Sequence, residues 1–436
     1  MKKAYQMLIF VGVIVFLLVH YSCNKDKDDE IPIIQREKED TTGNDTTSQN
    51  VVDSIINENN DSSDVEKAIE MKIYAHYMPW FETPESADNG SWGIHWTMAT
   101  KNPFVIDSTG KREIAAYYYP LIGPYASSDE DVLEYHLLLM KYSGIDGVLI
   151  DWYGKIDLFD YPDNFENSEA LVEMVDKIGL SFGICYEDRT VQIAIDNGVI
   201  TDKIEAAQAD MEYLENIFFS MDNYITIEDK PMLMIFGPET FHAEDDWTQI
   251  FSNLNPAPCF VTLWYKSGDA GDNATGEYAW VYQDNTHLDN FYTNQKSKFD
   301  VVFGGAYPGF KDFYSEGGWG DSFGWEIDMN DGNTFEVTLN KALNAEVEYL
   351  QLITWNDFGE GTMIEPTLEF EYTMLTILQD FTGVSYTITE LEYIKLQFDY
   401  RKEYKDDSSV QDLLDQSFAY FVTLQPEKAI EILDEI

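Results

Sequence analysis

From residue 72 onward, short apolar runs rich in β-branched and aromatic residues recur between polar or Gly/Pro punctuation, and several are followed by helical periodicity. Eight such runs predict strands at 72–80, 145–153, 181–187, 231–236, 259–265, 277–283, 300–307 and 349–355. The runs at 148–150 and 232–236 are continuous rather than alternating, as expected of parallel strands covered on both faces. Between them, 128–143 reads as a helix. Ser127 and Glu130 offer a capping box, Val132, Tyr135, Leu138 and Leu139 share a face, and Gly144 is a natural stop. Further helices are expected at 168–178, 201–221 and 334–345. Alternating units of this kind predict a (β/α)8 TIM barrel, whose chemistry gathers at the C-terminal ends of its strands.

The flanking regions follow a different pattern. After about residue 369 the chain turns helical, with Leu391, Ile394, Leu396 and Phe398 in one segment, Leu413, Leu414, Phe418 and Phe421 in the next, and a short helix after Pro426. The first is expected to close the barrel, the rest to form a small appendage. At the other end, Lys2 and Lys3 precede an apolar run at 8–19, about half the length that crosses a bilayer, which fits the core of a signal peptide. Residues 24–70 hold no aromatic side chain and are dense in Asp, Glu, Asn, Ser and Thr, a composition that cannot offset the entropy of ordering. The domains expected are therefore a signal peptide at 1–22, an acidic disordered tether at 23–70, a catalytic barrel at 71–385 and a helical extension at 386–436.

Charge narrows the partners. The chain carries 27 Lys and Arg against 80 Asp and Glu, a net 27 − 80 = −53, which opposes nucleic acid and anionic lipid. Cys185 and Cys259 sit in apolar, strand-like runs and are expected as free buried thiols. No CxxC, HExxH, phosphate-binding glycine loop or G-x-S-x-G elbow occurs, and the acidic stretch at 328–333 lacks the spacing of a calcium loop, so neither a metal nor a cofactor is expected.

The expected strand ends collect polar and aromatic residues: His76, Tyr77 and Trp80; Asp151, Trp152 and Tyr153; Glu187; Tyr282; Tyr307; and Trp355 with Asn356. Asp357 and Glu360 follow the eighth strand, three residues apart. In a continued strand they would face opposite ways, but a sharp turn at Gly359 and Gly361 brings both to one cleft. Cleavage of a glycosidic bond needs one carboxylic acid to protonate the leaving oxygen and a second carboxylate as base or nucleophile. An aromatic rim suits the C–H faces of sugars.

The stretches Tyr74-Ala75-His76-Tyr77-Met78-Pro79-Trp80-Phe81, Gly93-Ile94-His95-Trp96, 119–127 and Tyr307-Pro308-Gly309-Phe310 resemble, in order, the endo-α-mannosidases of glycoside hydrolase family 99. Gly361-Thr362-Met363-Ile364-Glu365-Pro366 continues that likeness, whereas Trp355-Asn356-Asp357-Phe358-Gly359-Glu360 is closer to the α-1,3-glucanases of family 71. The resemblance implies a barrel fold and endo-type cleavage of α-mannan or α-1,3-glucan, with Glu360 as general acid and Asp357 as base, acting on water or on the sugar's own 2-hydroxyl. Family 99 has Glu where this chain has Asp357, one methylene shorter. By the same likeness His76, Tyr77, Trp80, His95 and Trp96 bind sugar. Tyr21-Ser22-Cys23 resembles the lipobox of bacterial lipoproteins, and the acidic run at 26–30 resembles signals for the outer face of the outer membrane. A lipid anchor on Cys23 is thus the expected membrane contact, and neighbouring glycan-uptake proteins are expected partners. The alternative reading is a surface lipoprotein that binds glycan without cleaving it.

Overall fold

In the computed structural model, residues 65–436 are described, together with Val52, Ser54 and Ile55. The expected signal peptide, Cys23 and most of the expected tether lie outside the described residues. Eight parallel strands close a barrel: β1 (Lys72–Tyr77), β2 (Gly147–Trp152), β3 (Ser181–Tyr186), β4 (Lys230–Ile235), β5 (Cys259–Leu263), β6 (Ala274–Tyr278), β7 (Val301–Ala306) and β8 (Tyr349–Leu352). Their order around the barrel is β3-β2-β1-β8-β7-β6-β5-β4, and β3 pairs with β4 to complete the ring. A two-residue arm, Thr226–Ile227, pairs antiparallel with β4. The fold class expected from the sequence is the one observed.

Side-chain alternation decides what each strand delivers. On β1, Tyr77 points outward, its hydroxyl 3.0 Å from Nδ1 of His136 on α1 (Glu130–Tyr142), while His76 points into the barrel beside Asp151 of β2. On β2, Trp152 is sandwiched outside the barrel against Phe165 of α2 (Tyr161–Ile178) and Tyr213 of α3 (Lys203–Tyr213). Tyr186 of β3 likewise reaches outward, donating to Asp210 of α3 at 2.8 Å.

Four expectations are corrected. The sixth strand is Ala274–Tyr278, not 277–283, because Gly276 permits a close strand approach: a Cβ there would lie 2.3 Å from the Val301 carbonyl oxygen. The apolar stretch after it is buried over the mouth, with Trp280 edge-on to His76, rather than in a ladder. Helix α1 is capped by Asp129, which accepts from the amides of Asp131 and Val132, while Ser127 accepts from the Phe81 amide instead. The helix that closes the barrel is α4 (Thr373–Thr382), whose Gln379 and Thr382 donate to the carbonyls of Tyr142 and Ser143. The ordered part also begins before residue 71, since Lys67 pairs with Asp146 and the Ala68 amide donates to Thr382.

Beyond α4, helix α5 (Ile388–Glu403) packs on the outside of α1, and α6 (Ser408–Val422) and α7 (Pro426–Leu433) pack on α5 and on each other. Arg401 of α5 pairs with Glu134 of α1 at 3.1 Å, each side chain 9% exposed, and with Asp415 of α6 at 2.6 Å. Lys141 donates to the Val422 and Ile178 carbonyls, so one α1 ammonium ties α6 to α2. Cys185 and Cys259 are free and buried.

Removing one partner of a buried ion pair leaves the other charge uncompensated, which costs about 3–5 kcal/mol. Arg401→Ala is therefore expected to lower unfolding free energy in urea by about that amount. A loss below about 1 kcal/mol would show that the extension is not held by this pair.

Candidate active site

The acid-bearing segment is built as an extension of the β1–β8 ladder. The Trp355 amide donates to His76 oxygen at 2.7 Å, and the segment then folds back, with the Ile364 amide donating to Thr354 and the Glu365 amide to Trp355. Asn356 fastens this turn to β1. Its oxygen accepts the Met78 amide at 2.8 Å, and its NH2 donates to the Met78 carbonyl at 3.0 Å and to Tyr125 Oη at 3.2 Å. Tyr125 donates in turn to Glu365 at 2.7 Å, and the other Glu365 oxygen lies 3.3 Å from Nε2 of His136. This polar chain is wholly buried.

Within the turn, Thr354 Oγ1 accepts the Asp357 amide at 2.8 Å, and Asp357 Oδ1 accepts the Glu360 amide at 2.9 Å. A second wall comes from the β7–β8 connection, where the amides of Lys311 and Phe313 donate to the carbonyls of Glu360 and Gly359, both at 2.8 Å. That wall carries Tyr314, whose hydroxyl donates to Glu360 Oε1 at 2.8 Å. Asp312 holds the wall in shape by accepting from Ser322 and from the Phe323 amide. Gly361 sits at φ +65°, and a Cβ there would lie 2.8 Å from the Lys311 carbonyl oxygen.

Four carboxylic side chains meet at the mouth: Asp151 at the end of β2, Glu187 just after β3, and Asp357 and Glu360 after β8, exposed by 2, 8, 5 and 9%. Burial is the main reason each holds its proton more tightly than in water. Glu360 is pushed up to about 8 by burial and then by the Asp357 charge, against the pull of the Tyr314 hydroxyl and of Arg189. Asp357 rises only to about 6, because the Glu360 amide, His95 and the Gly359 amide favour its charged form. Glu187 goes to about 7 by burial, opposed by Arg189, and Asp151 goes well above the carboxylate range by burial and by Glu187 and Asp357. The neighbouring Asp188 accepts the amides of Glu239, Thr240 and Phe241 and so shapes the loop after β4.

The rim is aromatic and half-buried. Trp80 stacks on His95 with centroids 4.2 Å apart, His95 is held by Asp160 at 3.1 Å, and Trp319 meets His95 edge-on. Tyr153, Trp264, Tyr282 and Trp325 continue the rim.

Of the sugar-binding residues expected from the sequence, Trp80, His95, Tyr153 and Tyr282 reach the rim, and Asp151 and Glu187 stand among the acids. Tyr77, Trp96, Trp152, Tyr307, Trp355 and Asn356 are fully buried and act behind the site. Trp96 donates to the Tyr125 carbonyl and stacks on Phe81 at 4.0 Å, and the Tyr307 hydroxyl donates to the Asp284 carbonyl. The physical reason for Tyr77 and Trp152 is strand alternation: His76 and Asp151 point inward, so the residue after each points out. Fully enclosed, His76 lies in the barrel interior below the acids. Tyr314, Arg189, Tyr125, His136 and Glu365 join the site without being among the residues expected there; Tyr125 and Glu365 lie in the family-like stretches, Arg189 is a rare cation directly after two acids, and Tyr314 and His136 carry no signal in the sequence.

No protein-family profile matches the chain. It is similar to a glycoprotein endo-alpha-1,2-mannosidase-like protein of Homo sapiens, at 23% identity with 68% of each chain covered. It is also similar to a glycoprotein endo-alpha-1,2-mannosidase of Xenopus laevis, at 22% identity with 68% of this chain and 70% of the relative covered. The fold is shared with the GH99 endo-alpha-mannosidase of Bacteroides thetaiotaomicron, with a TM-score of 0.55 at 16% identity over 75% of this chain and 99% of that one. The family 99 likeness read from the motifs is thus matched by sequence relatives and by the barrel itself.

Replacing Gly361 by Ala combines a strained left-handed backbone with a contact against Lys311, each of order 1–3 kcal/mol. Gly361→Ala is expected to destabilise the protein by at least about 2 kcal/mol in chemical denaturation, and an unchanged midpoint would refute the close approach.

Proposed function

We propose that the protein is an endo-acting glycoside hydrolase that cleaves α-linked mannose-containing glycans with Asp357 and Glu360. The observation that carries this reading is the pair itself: two carboxyls three residues apart at the barrel mouth, one pushed up to about 8 and the other to about 6. Titratable neighbours whose environments split them in this way are the arrangement that acid–base chemistry on a glycosidic bond requires. The similarity to endo-alpha-1,2-mannosidase-like proteins supports the substrate class.

At neutral pH Glu360 carries the proton and gives it to the departing glycosidic oxygen. Tyr314, bonded to Oε1, fixes the rotamer of that acid. Asp357 is ionised and removes a proton from the nucleophile, either water or the sugar's own 2-hydroxyl. Asp357 also accepts the Glu360 amide, so its shorter side chain is anchored while its second oxygen remains available to the nucleophile. Asp151, Glu187 and the rim aromatics orient sugar hydroxyls and ring faces. A neutral glycan suits an acidic mouth, since it meets no charge repulsion there.

The sign of the pH dependence follows from the two carboxyls. Activity rises as Asp357 ionises near pH 6 and falls as Glu360 loses its proton near pH 8, giving a bell in kcat/KM. Glu360→Gln and Asp357→Asn are each expected to lower kcat by about 10²- to 10⁴-fold on α-mannan, measured as new reducing ends. Wild-type binding of mannan with no new ends would instead identify a glycan-binding protein, and unchanged hydrolysis in both variants would remove the pair from the chemistry.

The localisation belongs to the same proposal. The apolar run at 8–19 followed by Ser22-Cys23 supports a lipid anchor on Cys23 and display on the outer membrane, where neighbouring glycan-uptake proteins would receive the products. Cys23→Ser is expected to move the protein from the membrane pellet to the soluble fraction on cell fractionation. Retention in the pellet would exclude lipidation as the anchor.

A further inference from the structure

Three inward-facing side chains converge from adjacent strands: Asp151 of β2, one of the mouth acids, with the enclosed His76 of β1 and Cys185 of β3 beside it. A nitrogen of His76, a carboxylate oxygen of Asp151 and the sulfur of Cys185 all lie within 4.8 Å of one another. His76 Nε2 is 4.0 Å from Asp151 Oδ1, and Asp151 and Cys185 are direct neighbours across the β2–β3 ladder. All three are buried, with His76 and Cys185 fully enclosed.

An independent observation points to a missing partner. Neither ring nitrogen of His76 makes a hydrogen bond, although the ring is sealed from solvent. Gln351 of β8 lies beside it, but neither of its side-chain polar atoms reaches hydrogen-bonding geometry. Trp280 covers the ring edge-on at 5.0 Å. Near Cys185, the Tyr278 hydroxyl is 4.0 Å from the sulfur and donates to the Ile235 carbonyl at 3.0 Å. Buried polar groups without partners cost on the order of 1–3 kcal/mol each, so an interior that keeps several of them together calls for an occupant.

We propose that His76, Asp151 and Cys185 bind a divalent transition-metal ion of the zinc type inside the barrel. Imidazole, carboxylate and thiolate are all zinc donors, and three ligands from the chain leave a tetrahedral ion one open position. Donors around such an ion, with bonds of about 2.0–2.3 Å, stand roughly 3.3–3.8 Å apart, so binding draws this set inward by about an ångström. Gln351 is placed to receive the second imidazole nitrogen, the usual way a metal-bound ring is oriented. Uptake releases to solvent the thiol proton of Cys185 and the proton that burial holds on Asp151, as the sulfur–metal and oxygen–metal bonds form. No sequence motif announces the site because its ligands lie 75 and 34 residues apart, one per strand, and the barrel alone assembles them.

The test uses the full-length protein stripped with a chelator, dialysed, and titrated with Co2+ as a spectroscopic probe and with Zn2+ by calorimetry. The expected result is uptake of one ion per chain, a thiolate-to-cobalt charge-transfer band, and a rise in thermal midpoint on Zn2+ addition. Cys185→Ser is expected to lose the charge-transfer band, and His76→Asn and Asp151→Asn to weaken uptake at least tenfold. Cys259→Ser and Cys23→Ser are expected to keep the band, and circular dichroism confirms that each variant is folded. Absence of stoichiometric uptake by folded wild-type protein, or a band that survives Cys185→Ser, would overturn the proposal. Neither outcome bears on hydrolysis by Asp357 and Glu360, which is assayed separately.

Discussion

The geometry of the mouth depends on one buried contact: the Asn356 side chain closing both hydrogen bonds on the Met78 backbone. Residues 356 and 78 follow the last and first strands of the barrel, so this amide is where the ring is tied at its catalytic end. The tie is backed by Tyr125, Glu365 and His136, which carry the polar chain outward to α1. A half-satisfied network of this kind is worse than an apolar core, because each orphaned group keeps its desolvation cost. Satisfied at nearly every step, it gives the turn at 356–361 a single conformation, and with it a fixed placement of two carboxyls.

That fixed placement is what lets burial separate the two acids. Both are nearly enclosed, and enclosure alone would raise both. Asp357 is spared because backbone amides point at it, whereas Glu360 feels the charge of its neighbour, which the Tyr314 hydroxyl only partly offsets. The turn therefore does two things with the same hydrogen bond: the Glu360 amide that donates to Asp357 sets the backbone shape and holds one carboxyl charged. Arg189 opposes the accumulation of acid from the far side, acting on Glu187, Asp151 and Glu360. Without it, Glu187, Asp151 and Glu360 would be driven further toward neutrality.

The barrel was legible because its signal is periodic. Seven of the strands fall where apolar runs meet polar punctuation, and the exception is informative. The sixth strand contains Gly276, required by the approach of β7, and so reads as weakly apolar. The stretch after it reads as a strand because it covers the mouth. The acid pair was legible from its spacing. The supporting set was not, since Tyr314, Arg189 and His136 each come from a different connection and meet only after closure. Burial also reassigned the expected sugar-binding residues: Tyr77 and Trp152 serve the packing behind the site because alternation turns them away from the barrel axis, and Trp96, on the short helix Ile94–Thr97, because it is enclosed against Phe81 and donates to the Tyr125 carbonyl.

Alternation also explains why the interior is polar where a barrel of this size is ordinarily filled by branched apolar side chains. The inward positions of β1, β2, β3 and β8 hold His76, Asp151, Cys185 and Gln351, a polar layer that runs from Asp151 at the mouth into the interior. Had these been Leu or Ile, the acids above would rest on a low-dielectric floor and the Asp357 charge would be harder to keep. A polar floor with unmet hydrogen-bonding capacity is costly to fold. Its presence in four neighbouring strands, beside an otherwise well-packed core, ties the composition of the barrel interior to the electrostatics of the mouth rather than to stability.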